Sequence, residues 1–159
     1  MNMQKITPFL WFDGRAEEAM NFYTSIFKNA KVGDVSRYPK GSPFPEGTVM
    51  SASFSLDGMD FIALNAGPQF KFTEAISFFV SCETQSEIDH FWTKLSEGGE
   101  EQPCGWLKDK FGISWQIVPP ILGKLLSDKD PAKSSRVMQA MLQMKKINIQ
   151  LLQEAYGKN

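Results

Sequence analysis

The apolar and polar positions of this chain form a strand and helix pattern that occurs twice. In the first half, an apolar, aromatic-rich run at residues 6–12 precedes a helical spacing of apolar residues at 16–27. Shorter runs at 32–38, 48–56 and 59–64 alternate as strands do. This order predicts a β-α-β-β-β unit. Gly14 with Glu17 is expected to open its helix, and Asp57-Gly58 predicts a tight hairpin turn.

The second half begins with another aromatic strand, at residues 75–81. Thr84 and Glu87 form a capping-box pattern, and the helix that follows is expected to end at Gly98-Gly99. Strands are then predicted near 101–103, around 105–107 and at 113–118, with a turn at 109–112. Phe22-Tyr23 and Phe91-Trp92 are offset by 69 residues, and Ile6 and Ile76 by 70. We interpret this as an internal duplication.

Helical signals follow the second unit. Pro119-Pro120 ends the last strand, a short helix is expected to about Leu126, and Asp130-Pro131 and Asn148 predict two more helix starts. The predicted fold class is α+β, with two tandem β-α-β-β-β modules whose curved mixed sheets surround a cavity. The expected boundaries are 1–66 and 67–120 for the modules and 121–159 for a C-terminal helical extension, within one compact structural domain.

Composition excludes several classes of protein. The chain has 159 residues, of which 42% are hydrophobic and 22% charged, so it is neither disordered nor fibrous. It contains no apolar run long enough for a membrane helix and no secretory signal pattern, which predicts a cytoplasmic protein without a membrane partner. Cys82, Cys104 and His90 make a poor zinc-ligand set, so buried reduced thiols are expected.

Charge is divided unevenly along the chain. Residues 119–159 hold seven Lys and Arg against three Asp and Glu, whereas residues 1–118 hold ten against fifteen. The basic segment has a regular apolar stripe and no aromatic stacking platform, so we expect it to pack on the acidic body or on a second subunit rather than on nucleic acid. Edge strands and a Met-rich helix further predict a homodimer.

The stretches that carry a family resemblance span nearly all of residues 6–156. They are ITPFLWFDGRAEEAMNFYTSIF, ALNAGPQFKF, AISFFVSCETQSEIDHFW, CGWLKDKFGISWQIVPP and RVMQAMLQMKKINIQLLQEAY. In these stretches the chain resembles the vicinal oxygen chelate (glyoxalase/bleomycin resistance) superfamily, and within it the PhnB-like branch often labelled 3-demethylubiquinone-9 3-methyltransferase domain proteins. The resemblance implies the paired modules and a ligand cavity between their sheets.

The resemblance also implies metal-ligand positions on the first and last strands of each module. These positions fall on Pro8, on Ser77 or Phe78, on Gln116, and near residues 62–64. Pro, Phe and Ile cannot ligate a metal, and Gln is a weak neutral donor, so no metal and no cofactor is expected. The methyltransferase label is not supported by a glycine-rich cofactor turn, because no G-x-G-x-x-G occurs.

The candidate ligand-binding residues are polar or aromatic side chains placed on strands. Gln116 is the leading one, because an amide in an apolar cavity must find a partner or a ligand; a structural hydrogen bond is the alternative for Gln116 and for Asn65. The full set is Gln116, Asn65, Trp106, Ser77, Ser114 and Trp11. Trp106, beside Gly105, is expected at the cavity rim. Trp115 could also stack on a planar ligand, although a core position is the alternative.

Other residues are interpreted as structural. His90 is expected on the surface, Cys104 lacks the positive surroundings of a reactive thiolate, and Asp109 is expected to form a turn. The leading functional hypothesis is a metal-free protein that binds a small molecule, such as an aromatic one. The alternatives are an enzyme of the superfamily, including the methyltransferase of the label, and a scaffold subunit whose cavity is filled by its own side chains.

Overall fold

The computed structural model describes residues 4–158. These residues form two compact units, the first ending at Lys71 and the second beginning at Phe72. The expected module boundary after residue 66 therefore falls in the same connecting loop, five residues earlier. The C-terminal extension belongs to the second unit. No helix among the described residues is both long and apolar enough to cross a bilayer.

The first unit is a four-stranded mixed sheet with one helix. Its elements are β1 (Phe9–Phe12), α1 (Ala16–Ile26), β2 (Ala30–Arg37), β3 (Val49–Leu56) and β4 (Met59–Asn65). The strand order is β1-β4-β3-β2, with β1 parallel to β4 and the other pairs antiparallel. Tyr23 of α1 is 1% exposed and stacks on Phe54, which in turn stacks on Phe61. Aromatic packing between α1 and one face of the sheet therefore forms the core of this unit.

The second unit repeats this architecture. Its sheet elements are β5 (Ser77–Ser81), α2 (Gln85–Ser96), β6 (Glu100–Glu101), β7 (Trp106–Lys108) and β8 (Ser114–Val118). The strand order is β5-β8-β7-β6, with β5 parallel to β8 and the other pairs antiparallel. Trp92 of α2 is buried as Tyr23 is in α1. The α+β class and the duplicated β-α-β-β-β order are confirmed.

Local signals place most element boundaries correctly. Glu87 N donates to Thr84 Oγ1 (3.2 Å) in the expected capping box, and Asp57 and Gly58 both have positive φ in the hairpin turn. The expected start of α1 at Gly14 is wrong. The helix begins at Ala16, whose backbone N–H donates to Asn65 Oδ1 (2.9 Å), so the cap comes from β4 rather than from a neighbouring residue.

Three helices follow β8, namely α3 (Pro120–Leu126), α4 (Pro131–Leu142) and α5 (Ile149–Gly157). Asp130 and Asn148 cap the second and third of them by accepting from Ala132 N (2.9 Å) and Leu151 N (3.1 Å), as expected. These helices bury a separate apolar cluster against the carboxyl end of β8. Its buried members are Val118, Leu122, Leu125, Val137, Ile147 and Leu152.

Candidate functional site

The two faces of the second sheet differ in their chemistry. Alternation along the strands places Leu107, Trp115 and Ile117 on one face, and all three are buried with the apolar side of α2. On the opposite face, six of the side chains of β5, β8 and β7 form a patch that we name the Gln116 face. Its members are Ser77, Phe79, Trp106, Lys108, Ser114 and Gln116.

Strand register arranges the Gln116 face as two rows of three residues. Phe79, Gln116 and Trp106 are direct cross-strand neighbours, which gives an amide between two aromatic rings. Ser77, Ser114 and Lys108 form the parallel row two residues away along each strand. Neighbouring strands lie about 4.8 Å apart and alternate residues about 6.7 Å apart, so the patch has the dimensions of a small ring compound.

Hydrogen bonding on this face is incomplete. Gln116 Nε2 donates to Ser77 Oγ (2.9 Å), and this contact ties the two polar residues to each other. Ser114 is 1% exposed, yet its hydroxyl has no hydrogen-bond partner among residues 4–158. A buried hydroxyl without a partner is uncommon in proteins, because burial removes its hydrogen bonds to water. The Ser114 hydroxyl is therefore an unused polar group within the Gln116 face.

An ion pair lies at the edge of the same face. Lys108 Nζ is 2.5 Å from Glu74 Oε1, on the segment that leads into β5. The hydrogen bond to Lys108 lowers the pKa of the Glu74 carboxyl, and the same hydrogen bond raises the pKa of the Lys108 ammonium. Both groups are therefore charged at neutral pH. The Glu74 and Lys108 side chains are 50% and 30% exposed, so solvent reaches this ion pair.

The structure brings together four of the six candidate residues, since Ser77, Trp106, Ser114 and Gln116 all lie on the Gln116 face. The other two lie in the first unit. Trp11 donates from Nε1 to Gly67 O (2.8 Å) and meets Phe70 edge to face at 4.8 Å between ring centroids.

Asn65 makes structural hydrogen bonds, which was the alternative to ligand contact for this residue. Its side chain is buried, and besides capping α1 it donates from Nδ2 to Val49 O (3.1 Å). Both ends of the amide are thus committed to the fold. As a ligand-binding candidate, Asn65 would have to give up the cap of α1.

The structure also places Trp115, Asp109 and His90. Trp115 occupies a core position, which was the alternative to ligand stacking. It is 3% exposed on the α2 side, where it donates to Asp109 Oδ2 (2.8 Å) and lies against Phe78. It therefore cannot stack on a ligand at the Gln116 face. Asp109 forms the expected turn. His90 is exposed, as expected.

The two cysteines lie in different environments. Cys82 is fully buried, and desolvation raises the pKa of its thiol to about 12, which keeps it protonated. Cys104 is partly buried and has φ 61°, next to Gly105 with φ 83°. The two consecutive left-handed residues explain how the chain bends immediately before Trp106.

Sequence reasoning missed three participants in this site. Lys108 and Phe79 could have been found from alternation, because they share a parity with the candidates on their own or paired strands. Glu74 could not be found in this way, since it lies outside any strand and reaches Lys108 from 34 residues away. Its position depends on the path of the connecting loop.

A groove of about 500 Å³ lies in the first unit, where β2 bulges away from β3 between Val32 and Val35. None of the six candidate residues lines it. Its wall includes Ser53, whose hydroxyl accepts from Asp34 N (2.8 Å) and therefore already has a partner. The groove shares no residue with the Gln116 face.

The superfamily's metal positions do not hold a fitting donor set. Ser77 and Gln116 offer only neutral oxygens and are hydrogen-bonded to each other. Pro8 offers only its backbone carbonyl, which accepts from Ile62 N (3.0 Å). Across residues 4–158, no three His, Cys, Asp or Glu side chains group in a way that could hold a metal ion. The residues at these positions therefore do not suit a divalent cation.

Comparison with known proteins gives a consistent result. The family model described as 3-demethylubiquinone-9 3-methyltransferase matches residues 4–118. The PhnB protein of Bacillus cereus is 44% identical, and the match covers 73% of this chain and 99% of that one, with a TM-score of 0.64. No protein of curated function matches the sequence.

More distant solved structures share the fold. Protein PA1353 from Pseudomonas aeruginosa is 20% identical with a TM-score of 0.62, over 73% of this chain and 97% of that one. The fosfomycin resistance protein FosX of Listeria monocytogenes, in complex with Mn(II) and sulfate, is 17% identical with a TM-score of 0.50, over 72% and 90%. In each case the similarity covers less than three quarters of this chain.

Proposed function

Since this chain belongs to the 3-demethylubiquinone-9 3-methyltransferase family of the vicinal oxygen chelate superfamily, we propose that it is a cytoplasmic protein that binds a small planar molecule on the Gln116 face. The observation that carries the proposal is the placement of Gln116 between Phe79 and Trp106 on adjacent strands. Aromatic rings supply apolar contact area, and the Gln116 amide orients a polar edge of the ligand.

Binding on this face is proposed to need no metal, because Ser77 and Gln116 offer only neutral oxygens, which suit a divalent cation poorly. We expect elemental analysis of the purified protein to find far less than one transition metal ion per chain. About one zinc, nickel, iron or manganese per chain, lost in Gln116→Ala, would contradict this part of the proposal.

The description of the family model favours a second candidate function, methyl transfer. A residue that removes a proton from the methyl acceptor would be needed, and the carboxylate that contacts the Gln116 face is that of Glu74, which is paired with Lys108. Binding of S-adenosylmethionine to the purified protein, measured by calorimetry, would favour methyl transfer over simple ligand binding.

The binding proposal is tested with 2-naphthamide, a neutral planar probe, by isothermal titration calorimetry. We expect the wild-type protein to bind it and Trp106→Ala to weaken binding by about 1–3 kcal/mol, because an aromatic anchor is removed. Phe70→Ala is the matched control, since Phe70 is an exposed aromatic residue of the first unit. Equal affinity in Trp106→Ala and wild type, with the fold intact by circular dichroism, would favour the scaffold hypothesis.

A further inference from the structure

The Ser114 hydroxyl is the starting point, because it is buried and unpartnered while its neighbours are not. Ser77 on one side accepts from Gln116, and Lys108 on the other side is paired with Glu74. A buried hydroxyl that the fold leaves without a partner indicates that a bound molecule supplies the missing hydrogen bond. The row Ser77, Ser114 and Lys108 is therefore a set of donors whose middle member is unused.

Glu74 contacts this row at its Lys108 end. Lys108 lies on β7 and Glu74 comes three residues before Ser77 on β5, and β7 and β5 flank β8 on its two sides. The ion pair thus connects Lys108, one neighbour of Ser114, to the segment that leads into β5. Glu74 lies outside the strands, in the segment that leads into β5, so its carboxylate can move away without breaking the sheet ladder.

We propose that the Gln116 face binds an aromatic carboxylate, and that Glu74 occupies the position of the ligand's carboxylate when the site is empty. This inference rests on the proposed function and specifies its ligand class. On binding, the ligand carboxylate replaces Glu74 at Lys108 Nζ and accepts a hydrogen bond from the Ser114 hydroxyl. The aromatic part of the ligand lies along the adjacent row, between Phe79 and Trp106.

The available donors explain the preference for an anion. The Lys108 ammonium has three N–H donors, and its ion pair with Glu74 uses only part of them. The Ser114 O–H has no acceptor. The Ser77 oxygen already accepts from Gln116, so its own O–H is also free to donate. A carboxylate accepts from several such donors at once, and hydrogen bonds to a charged acceptor are stronger than those between neutral groups. A neutral ring compound would leave most of this row unused.

The test compares 2-naphthoate with its neutral analogue 2-naphthamide by isothermal titration calorimetry. In the wild-type protein we expect 2-naphthoate to bind more tightly. Glu74→Gln removes the competing charge and should strengthen 2-naphthoate binding about fivefold, while 2-naphthamide binding stays unchanged. Glu97→Gln is the matched control, because Glu97 is an exposed carboxylate at the end of α2 and should leave both affinities unchanged.

Two further variants test the donors. Lys108→Met should remove most of the preference for 2-naphthoate over 2-naphthamide. Ser114→Ala should weaken 2-naphthoate binding about fivefold without lowering the free energy of unfolding, because the hydroxyl has no partner to lose. A lower unfolding free energy in Ser114→Ala would show that the hydroxyl serves the fold, and would overturn its assignment to the ligand.

The proposal and the function on which it rests fail in different ways. If 2-naphthamide binds and Trp106→Ala weakens its binding as expected, but 2-naphthoate is no tighter even in Glu74→Gln, the carboxylate inference is overturned and the planar-ligand function stands. If neither compound binds the wild-type protein or Glu74→Gln, both are overturned.

Discussion

Two buried polar side chains at the start of β8, Asp109 in the preceding turn and Ser114 in the strand, differ in their hydrogen bonding. Asp109 is 3% exposed, and its carboxylate accepts from Phe111 N (2.9 Å), Ile113 N (3.0 Å) and Trp115 Nε1 (2.8 Å). Ser114 is 1% exposed and has no partner in the described part of the chain. The fold fully uses Asp109, whereas it leaves Ser114 available. Burial alone therefore does not show whether the fold uses a polar group; the hydrogen bonds do.

Asp109→Asn should destabilise the protein although it preserves size and shape. The Asn oxygen can still accept from the turn N–H groups, but its amide N–H₂ would face the Trp115 indole N–H, so two donors would oppose each other. We expect the free energy of unfolding in urea to fall by about 1–3 kcal/mol. Asp57→Asn is the matched control, because Asp57 is an exposed turn residue with φ 49°, a conformation that Asn tolerates. Equal stability of Asp109→Asn and Asp57→Asn would refute this account of the turn.

Strand alternation carries most of the site prediction at the residue level. Ser114 and Gln116 share a parity on one strand, so their common face follows from the sequence once the strand is recognised. The roles of Asn65 and Trp115 do not follow from alternation alone. A side chain at a strand position can face either the helix or the opposite side, and only the register and the packing of α1 and α2 decide which. Glu74 lies beyond such reasoning, since no periodicity places a loop residue.

Some boundaries of helices and strands are set by neighbouring residues, and others by residues far along the chain. The α2 capping box and the Asp57-Gly58 turn are local, and both were predictable from the residues involved. The cap of α1 comes from Asn65, 49 residues along the chain, and no local pattern announces it. Strands β1 and β5 begin at Phe9 and Ser77, later than the apolar runs suggest, because Ile6 and Ile76 are 84% and 75% exposed and lie outside the ladders.

Glycine at the end of α2 has a packing reason in addition to its turn preference. A Cβ at Gly99 would lie 2.1 Å from Lys108 O, which is closer than any real contact. The close approach of Gly99 to the β7 backbone lets β6 pair with β7 directly after the turn. The Gly98-Gly99 pair, which the sequence predicts as the end of α2, thus also allows β6 to pair with β7 in the second sheet.

At the scale of the whole molecule, the C-terminal extension is part of the second unit although the family match ends at residue 118. Cys104 N and Gly105 N donate to Met144 O and Lys145 O, both at 2.8 Å, immediately before the Trp106 strand. Gln85 also donates from Nε2 to Ile147 O (3.0 Å) and accepts from Ile149 N (2.9 Å). The extension therefore supports the backbone that positions Trp106 on the Gln116 face.

The exposed surface of that extension supports the prediction of a homodimer. Met138 and Leu142 lie one turn apart on α4 and are 39% and 50% exposed, on a segment whose basic residues complement the acidic remainder of the chain. We expect light scattering to give about twice the 17.9 kDa chain mass, and Leu142→Glu to shift the protein toward monomer because it places a charge in the apolar contact. Gln139→Glu, also exposed on α4, is the control that should remain dimeric. A monomer mass at both low and high protein concentration would show that this apolar face is not a subunit interface.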